Sequence, residues 1–507
     1  MMRIRHNRNV LSAARHGMRW TSSLAAAAVL SGCMVGPDYV AQNVQLKPIA
    51  KATQAGADNK READIEQWWK EFDDPMLSEI VRDVLAQNLD LAAALARVEQ
   101  ARAAAAFAGA QLLPTVDANA SATAEHQSVV GPEGSLARNF PGYGRDQKEY
   151  AVGAAASWEI DVAGGLRRNA GAGRLEYEAA EADKAGTRVT VLADAADAYV
   201  QVRGLQARLA VAEDQIRTEQ HLLDLVKARK AAGAATEREV AQADALLRQA
   251  RTLPPALKTA LEAQLNRLDV LLGVQPHTYA AKLAIPSPIP AVPGSSFTAT
   301  PGELLRRRPD ILAAERRLAA ANERIGAAIA DYYPKVSLSG VLGFDSLSAD
   351  KLFTAQAFQP LITAGLRWRL FDFGKVDAEV AAAKGRNAEA IAQYRLTVLH
   401  AVEDVENAFV GLSQSQLRAS ELEAEVTSLQ RARDLSETAY QSGAITLTDV
   451  LDADRQLLSA RDDLDATRAD AARAAVGAYR ALGGGWSADD SALATAPGLS
   501  APQTTAR

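Results

Sequence analysis

The chain carries 62 acidic and 56 basic residues, yet few of them stand where their types and spacing could do chemistry. His126, His221, His277 and His400 form neither a Glu-x-x-His pair nor any other metal-ligand spacing. His400 with Glu403 reads as a helix-surface pair. No phosphate-cradling loop, Gly-x-Ser-x-Gly elbow or cysteine pair occurs, so neither an enzyme nor a bound cofactor or metal is expected. The only cysteine closes the run Leu30-Ser31-Gly32-Cys33, the form of a lipobox, in which the cysteine is acylated and the chain is cut just before it. Arg3, Arg5, Arg8, Arg15 and Arg19 precede an apolar run from Leu24 to Leu30 that is too short to span a bilayer, so residues 1–32 read as a signal peptide. Acyl chains bury methylenes at about 0.8 kcal/mol each, and stable anchoring takes more than one chain, which a lipidated Cys33 provides. Met34, where an Asp would retain the protein at the inner membrane, points to the outer membrane. Losing residues 1–32 removes five arginines and no acid, moving the formal charge from −6 to −11, and so acidic a chain is a poor nucleic-acid binder.

The other candidates are acids just past two glycine turns. Thr236 with Glu239 and Thr446 with Asp449 have capping-box spacing, each shortly after a glycine, Gly233 and Gly443. Asp449 and Asp452, at i and i+3, share one face of the helix that starts there. Repeated around a symmetry axis, such acids form a ring that favours cations and resists anions. Helix capping accounts for Glu239 and Asp449 equally, and C-capping accounts for the glycines, so both readings stay open.

Long helices must position these turns. Alanine runs through most segments, aromatic residues are 5% and charged residues 23%, a balance that suits extended helices. The sequence is also written twice. Asp90 and Pro114 match Asp310 and Pro334 at 220 residues, whereas Trp158, Gly164, Gly233 and Gly273 match Trp368, Gly374, Gly443 and Gly483 at 210. One loop of the first copy is therefore longer. In each copy an alternating stretch follows the proline. Val116, Ala118, Ala120, Ala122 and Ala124 interleave with Asp117, Asn119, Ser121 and Thr123, facing a partner from about Tyr150 to Asp161. Val336, Leu338, Gly340 and Leu342 in turn face Leu366, Trp368 and Leu370, which alternate with Arg367 and Arg369. Strands about ten residues long suit a tilted membrane strand. No proline falls between Pro141 and Pro254 or between Pro360 and Pro497, so long helices follow, in which Val398, Val402, Val405, Phe409 and Leu412 keep a coiled-coil rhythm. Pro254-Pro255 must break or kink the first copy's returning helix, with no counterpart in the second.

The expected organisation is a signal peptide at 1–32 and a lipidated segment at 33–64. A first repeat at 65–275 has its strand hairpin at about 114–161 and its helical hairpin at about 165–272. A Pro-rich linker at 276–301 leads to a second repeat at 302–485, with hairpins at about 335–373 and 375–482, and a loosely ordered tail at 486–507. The fold class is mixed, mainly α. Four amphipathic strands cannot close a barrel, and an open sheet in lipid leaves its edge amides unpaired at several kcal/mol each. Other copies must complete it: two give eight strands around a plugged interior, three give twelve and room for a pore. Trp158 and Trp368 then suit an aromatic girdle at the membrane interface, or ordinary packing on the sheet.

Cys33-Met-Val-Gly-Pro-Asp-Tyr39, Trp68-Trp69-Lys-Glu-Phe-Asp-Asp-Pro-Met-Leu77 and Leu304-Leu-Arg-Arg-Arg-Pro-Asp-Ile311 with Ala314-Glu315 resemble the TolC and OprM family of outer-membrane efflux ducts, in its lipoprotein branch. The resemblance implies a homotrimer with a twelve-stranded β-barrel in outer-membrane lipid and an α-barrel in the periplasm. Its partners would be a periplasmic adaptor and an inner-membrane transporter of the resistance-nodulation-division type, exporting drug-like compounds. It also implies that Tyr440 through Asp452 form a periplasmic constriction, with Glu239 the matching acid of the first copy, and that the tips at Gly233, Thr236, Gly443 and Thr446 meet the adaptor. A duct for type I protein secretion and a non-conducting coiled-coil lipoprotein are the alternatives. The lipobox and the Arg-Arg-Pro-Asp run favour drug efflux over the first, and the repeated strand hairpins speak against the second.

Overall fold

The computed structural model describes residues 34–42, 64–294 and 307–487. The expected signal peptide, Cys33, residues 43–63 of the expected lipidated segment, residues 295–306 across the end of the expected linker and the start of the second repeat, and the tail after 487 lie outside the described residues. In chain order the elements are α1 (Pro75–Gln87), α2 (Leu89–Ala110), β1 (Thr115–His126), α3 (Pro132–Ala137), β2 (Asp146–Ile160), α4 (Gly165–Ala231), α5 (Glu237–Ala250), α6 (Leu253–Leu271) and α7 (Ala280–Leu283). There follow α8 (Pro309–Ala330), β3 (Lys335–Ser346), β4 (Leu361–Arg367), α9 (Lys375–Gln441) and α10 (Leu447–Ala481).

Alanine costs almost no side-chain entropy in a helix, and with no proline to interrupt them α4 and α9 each run 67 residues. The element bounds repeat along the chain: α8 and β3 lie 220 residues after α2 and β1, and α9 lies 210 after α4. Where α10 runs unbroken, Pro254 and Pro255 divide the first copy into α5 and α6, with proline in the first turn of α6. Among the described residues no helix is long and apolar enough to cross a membrane.

The strands make one antiparallel sheet in the order β1-β2-β3-β4. Its register carries the alternation of each strand across all four. Ala120 pairs with Val152, and Val152 with Phe344; Trp158 pairs with Leu338, and Leu338 with Ala364. On the other face Asn119 pairs with Gly153, and Ser157 with Ser339, which pairs with Thr363. One face is thus apolar and the other small and polar. β4 is shorter than the sequence suggests, ending at Arg367, so Trp368, Arg369 and Leu370 lie past it. The helix ends claim those side chains: the Trp368 indole N–H donates to the Tyr332 carbonyl at 2.9 Å, and Arg369 pairs with Glu379 at 3.5 Å and Asp331 at 3.8 Å. Trp158 makes the matching bond in the first copy, to the Leu112 carbonyl at 2.9 Å.

The chain folds as two compact units, and each takes segments from both copies. One comprises the described residues within Met1–Gln42, Gln100–Glu178 and Glu315–Ala392, the other those within Asn43–Glu99, Ala179–Ala314 and Gln393–Arg507. In the first, the strap 34–39 is held by Arg168, which is 1% exposed. Its guanidinium donates to the Val35 and Gly36 carbonyls at 3.1 and 3.2 Å, to Asp38 at 3.0 Å and to both Glu323 oxygens at 3.1 Å. Gly36 sits so close to Gly326 that a Cβ there would lie 2.4 Å from the Gly326 Cα.

In the second unit the Trp68-Trp69 pair anchors the core, Trp68 stacking on Tyr479 with ring centroids 5.2 Å apart. Both copies close alike. Asn88 Nδ2 donates to the Leu271 carbonyl at 2.7 Å, and Arg308, 220 residues on, donates to the Ala481 carbonyl at 2.9 Å. Arg308 also binds Asp310 at 2.7 Å and Asp404 on α9 at 3.0 Å, which gives the Arg-Arg-Pro-Asp run a physical role: it ties α8, α9 and α10 together.

Candidate functional site

The candidate site is the pair of turns joining α4 to α5 and α9 to α10, both in the second unit. Gly233 and Gly443 take left-handed φ values of 74° and 81°, and the N–H groups that follow return to the helix ends, Ala234 to the Arg229 carbonyl at 2.8 Å and Ala444 to Ala439 at 2.9 Å. These are Schellman ends, and glycine is there for its φ, since a Cβ at either position would meet nothing within 4 Å. Each following helix opens with its carboxylate folded back. Glu239 accepts from the Thr236 N–H at 2.6 Å and hydroxyl at 2.8 Å; Asp449 accepts from the Thr446 N–H at 2.9 Å and hydroxyl at 2.7 Å. The bond from the Thr236 N–H, then that from its hydroxyl, holds the Glu239 carboxyl below its ordinary range. For Asp449 the order is reversed, the Thr446 hydroxyl first.

The turns are backed by one apolar cluster: Leu222, Leu223 and Val226 of α4, Ala243 and Leu247 of α5, Tyr440 of α9, and Leu447, Val450 and Leu451 of α10. Asp449 and Asp452 lie on the opposite, exposed face of α10, where Asp452 has Arg455 at 3.6 Å. Tyr440 instead faces the cluster and is 2% exposed. Arg229 lies 4.4 Å above its ring and donates to its carbonyl at 2.8 Å, tying the end of α9 to the end of α4. The structure thus brings Gly233, Thr236 and Glu239 into one turn and Gly443, Thr446 and Asp449 into the other, while Trp158 and Trp368 belong to the sheet-bearing unit.

Sequence reasoning passed over Arg229 and a group of buried charges behind the turns. Glu219 of α4 and Asp454 of α10 are 0% and 2% exposed, and Arg433 of α9 donates to Asp454 at 2.8 Å. Asp454 had a signal: it continues the buried spacing Leu447, Val450, Leu451 and Leu457, an acid within an apolar stripe. Glu219 and Arg229 had none, because α4 carries charge all round.

Comparison with known proteins agrees with this architecture. The family described as outer membrane efflux protein matches residues 80–274 and again 300–484. The pyoverdine export outer membrane protein OpmQ of Pseudomonas aeruginosa is 34% identical over 433 residues, 85% of this chain and 90% of that protein. The toluene efflux pump outer membrane protein TtgF of Pseudomonas putida is 29% identical over 487 residues, 92% of this chain and 96% of its own. Among solved structures, the outer-membrane channel OprN superposes with a TM-score of 0.82 at 34% identity, over 90% of this chain and all of that one. Matched in both copies and in three dimensions, the chain belongs to the outer membrane efflux protein family and is an outer-membrane efflux channel.

Proposed function

We propose that three copies of this chain, each lipidated at Cys33, close into the exit duct of a tripartite efflux pump through which small toxic compounds leave passively. The carrying observation is the sheet: four strands with one apolar and one polar face, in which the outer strands β1 and β4 each pair on one side only, their outer edges having no strand partner among the described residues. In lipid such edges must be paired, and pairing β4 of one copy with β1 of the next gives twelve strands with the polar face inward. The turns at Gly233, Thr236, Gly443 and Thr446 would dock a periplasmic adaptor, which links the duct to an inner-membrane transporter of the resistance-nodulation-division type. Asp449 and Asp452, repeated around the axis, would form an acidic constriction, with Tyr440 and Glu239 fixing the turns beside it. Trp158 and Trp368 would lie at the membrane interface. Relatives named for pyoverdine and for toluene differ in cargo, which fits a duct that leaves selection to the transporter. Planar-bilayer recording of the purified lipoprotein tests this. A large, cation-preferring, mostly closed channel from a heat-modifiable trimer is expected, and a stable monomer with no sheet in the bilayer would overturn it.

A further inference from the structure

Behind the turns, where α4, α9 and α10 pack together, two buried carboxylates lie near one arginine, Arg433, which bonds to Asp454 and acts on Glu219 only through space. Glu219 of α4 is fully buried; one of its oxygens accepts from Gln215 one turn earlier, and the other, Oε2, has no partner among the described residues. Asp454 of α10 is also buried; its Oδ1 accepts from Arg433 of α9 at 2.8 Å, and its Oδ2 has no partner among the described residues. Arg433 is itself divided, lying 2.5 Å from Glu437 and 3.4 Å from Asp434 on its own helix. The nearby basic groups are engaged elsewhere: Arg251, after α5, donates to Gln220 at 3.1 Å, Arg217 to Asp214 at 3.1 Å, and Arg461 of α10 lies 3.5 Å from Asp214. The cluster therefore lacks a cation for the second buried carboxylate. A buried charge so placed is costly, and taking up a proton removes the cost.

We propose that Glu219 and Asp454 form a further gating site of this duct, in which one proton held between α4 and α10 latches the two helices together behind the turn. The inference rests on the duct reading above. Burial first, and the nearby Asp454 second, push the Glu219 carboxyl up from 4.5 to about 7, and burial raises Asp454 as well, against the opposing pull of Arg433. Moving α10 off α4 would admit water and return Glu219 to its ordinary range, releasing the proton. The packed arrangement binds the proton more tightly, so its advantage is complete below the ordinary glutamate value and is lost as pH rises through about 7. Glu219 is a positioning residue here: it touches no cargo and acts by holding α10, whose exposed face carries Asp449 and Asp452.

Single-channel recording of the full lipidated protein from about pH 5 to about pH 8 tests the latch. Wild type should show open probability rising several-fold as pH passes through about 7. Glu219→Gln, which cannot ionise, should stay at the low-pH level throughout. Asp454→Asn, which removes the neighbouring negative charge, should move the step to lower pH, and this variant decides the matter if Glu219→Gln fails to assemble. A step that survives unmoved in the assembled variants, or a conducting wild type with no step, overturns the latch and leaves the duct reading intact. A wild type that conducts at no pH takes down both.

Discussion

Asp449 is bound to the start of α10 and exposed on its outer face at once. Its cap bonds favour the charged form, so the cap's contribution is complete above the ordinary aspartate range and is lost as pH falls through the lower native value. Capping and gating therefore do not compete, since a capped carboxylate keeps its charge. Replacing Asp449 and Asp452 together by Asn should raise the conductance of the reconstituted duct and weaken its preference for cations. Conductance and reversal potential in a salt gradient measure both, and unchanged values would remove these residues from the constriction. The paired acids could be picked out in the sequence by their spacing after Gly443. The inward placement of Tyr440 could not, because a tyrosine in the last turn of a helix suits either face until Arg229 is seen across its ring.

Among the elements, the turn at Gly443 separates two causes of failure. A side chain there strains the backbone, by about 1–2 kcal/mol for an ordinary L-residue, but meets nothing of the chain's own. Gly443→Leu should impair efflux at normal trimer abundance, whereas Gly443→Asn, which tolerates the left-handed region, should retain more of it. Undiminished efflux by the leucine variant would count against docking at this turn. At the other end of α10, Arg308 does what Asn88 does in the first copy and adds a bond to α9. Arg308→Asn should lower stability by roughly 1 kcal/mol, because it removes the ion pairs to Asp310 and Asp404 but leaves those exposed carboxylates to water. Adding Asp404→Asn to that variant should cost little more, and fully additive losses in thermal unfolding would rule out the tie. The duplication was plain in the sequence, but this tie was not, since nothing in the residue types says that Asn and Arg fill equivalent places.

For the whole molecule, the sheet makes the sharpest demand. Ala120 lies in the apolar row and Asn119, its neighbour on β1, in the polar one. Ala120→Arg should block stable insertion, at about 2–4 kcal/mol per chain for an arginine near mid-bilayer. Asn119→Arg should insert normally and shift the ion preference towards anions. Trimer yield in membranes and bilayer reversal potential distinguish them, and equal tolerance of both would mean that the apolar face does not meet lipid.

Period, proline and glycine are local properties, so the sequence alone determined where strands give way to long helices, where the helices turn, where Pro254-Pro255 break one of them, and that the pattern occurs twice. Pairing partners are not local. That β2 joins β3 across the two copies, that β4 stops short of Trp368, and that each compact unit mixes both copies depended on contacts between residues far apart in the chain. The buried charges make the same point: Glu219, Arg433 and Asp454 are ordinary helix residues one by one, and only the packing of three helices removes the two carboxylates from water and makes their protonation matter.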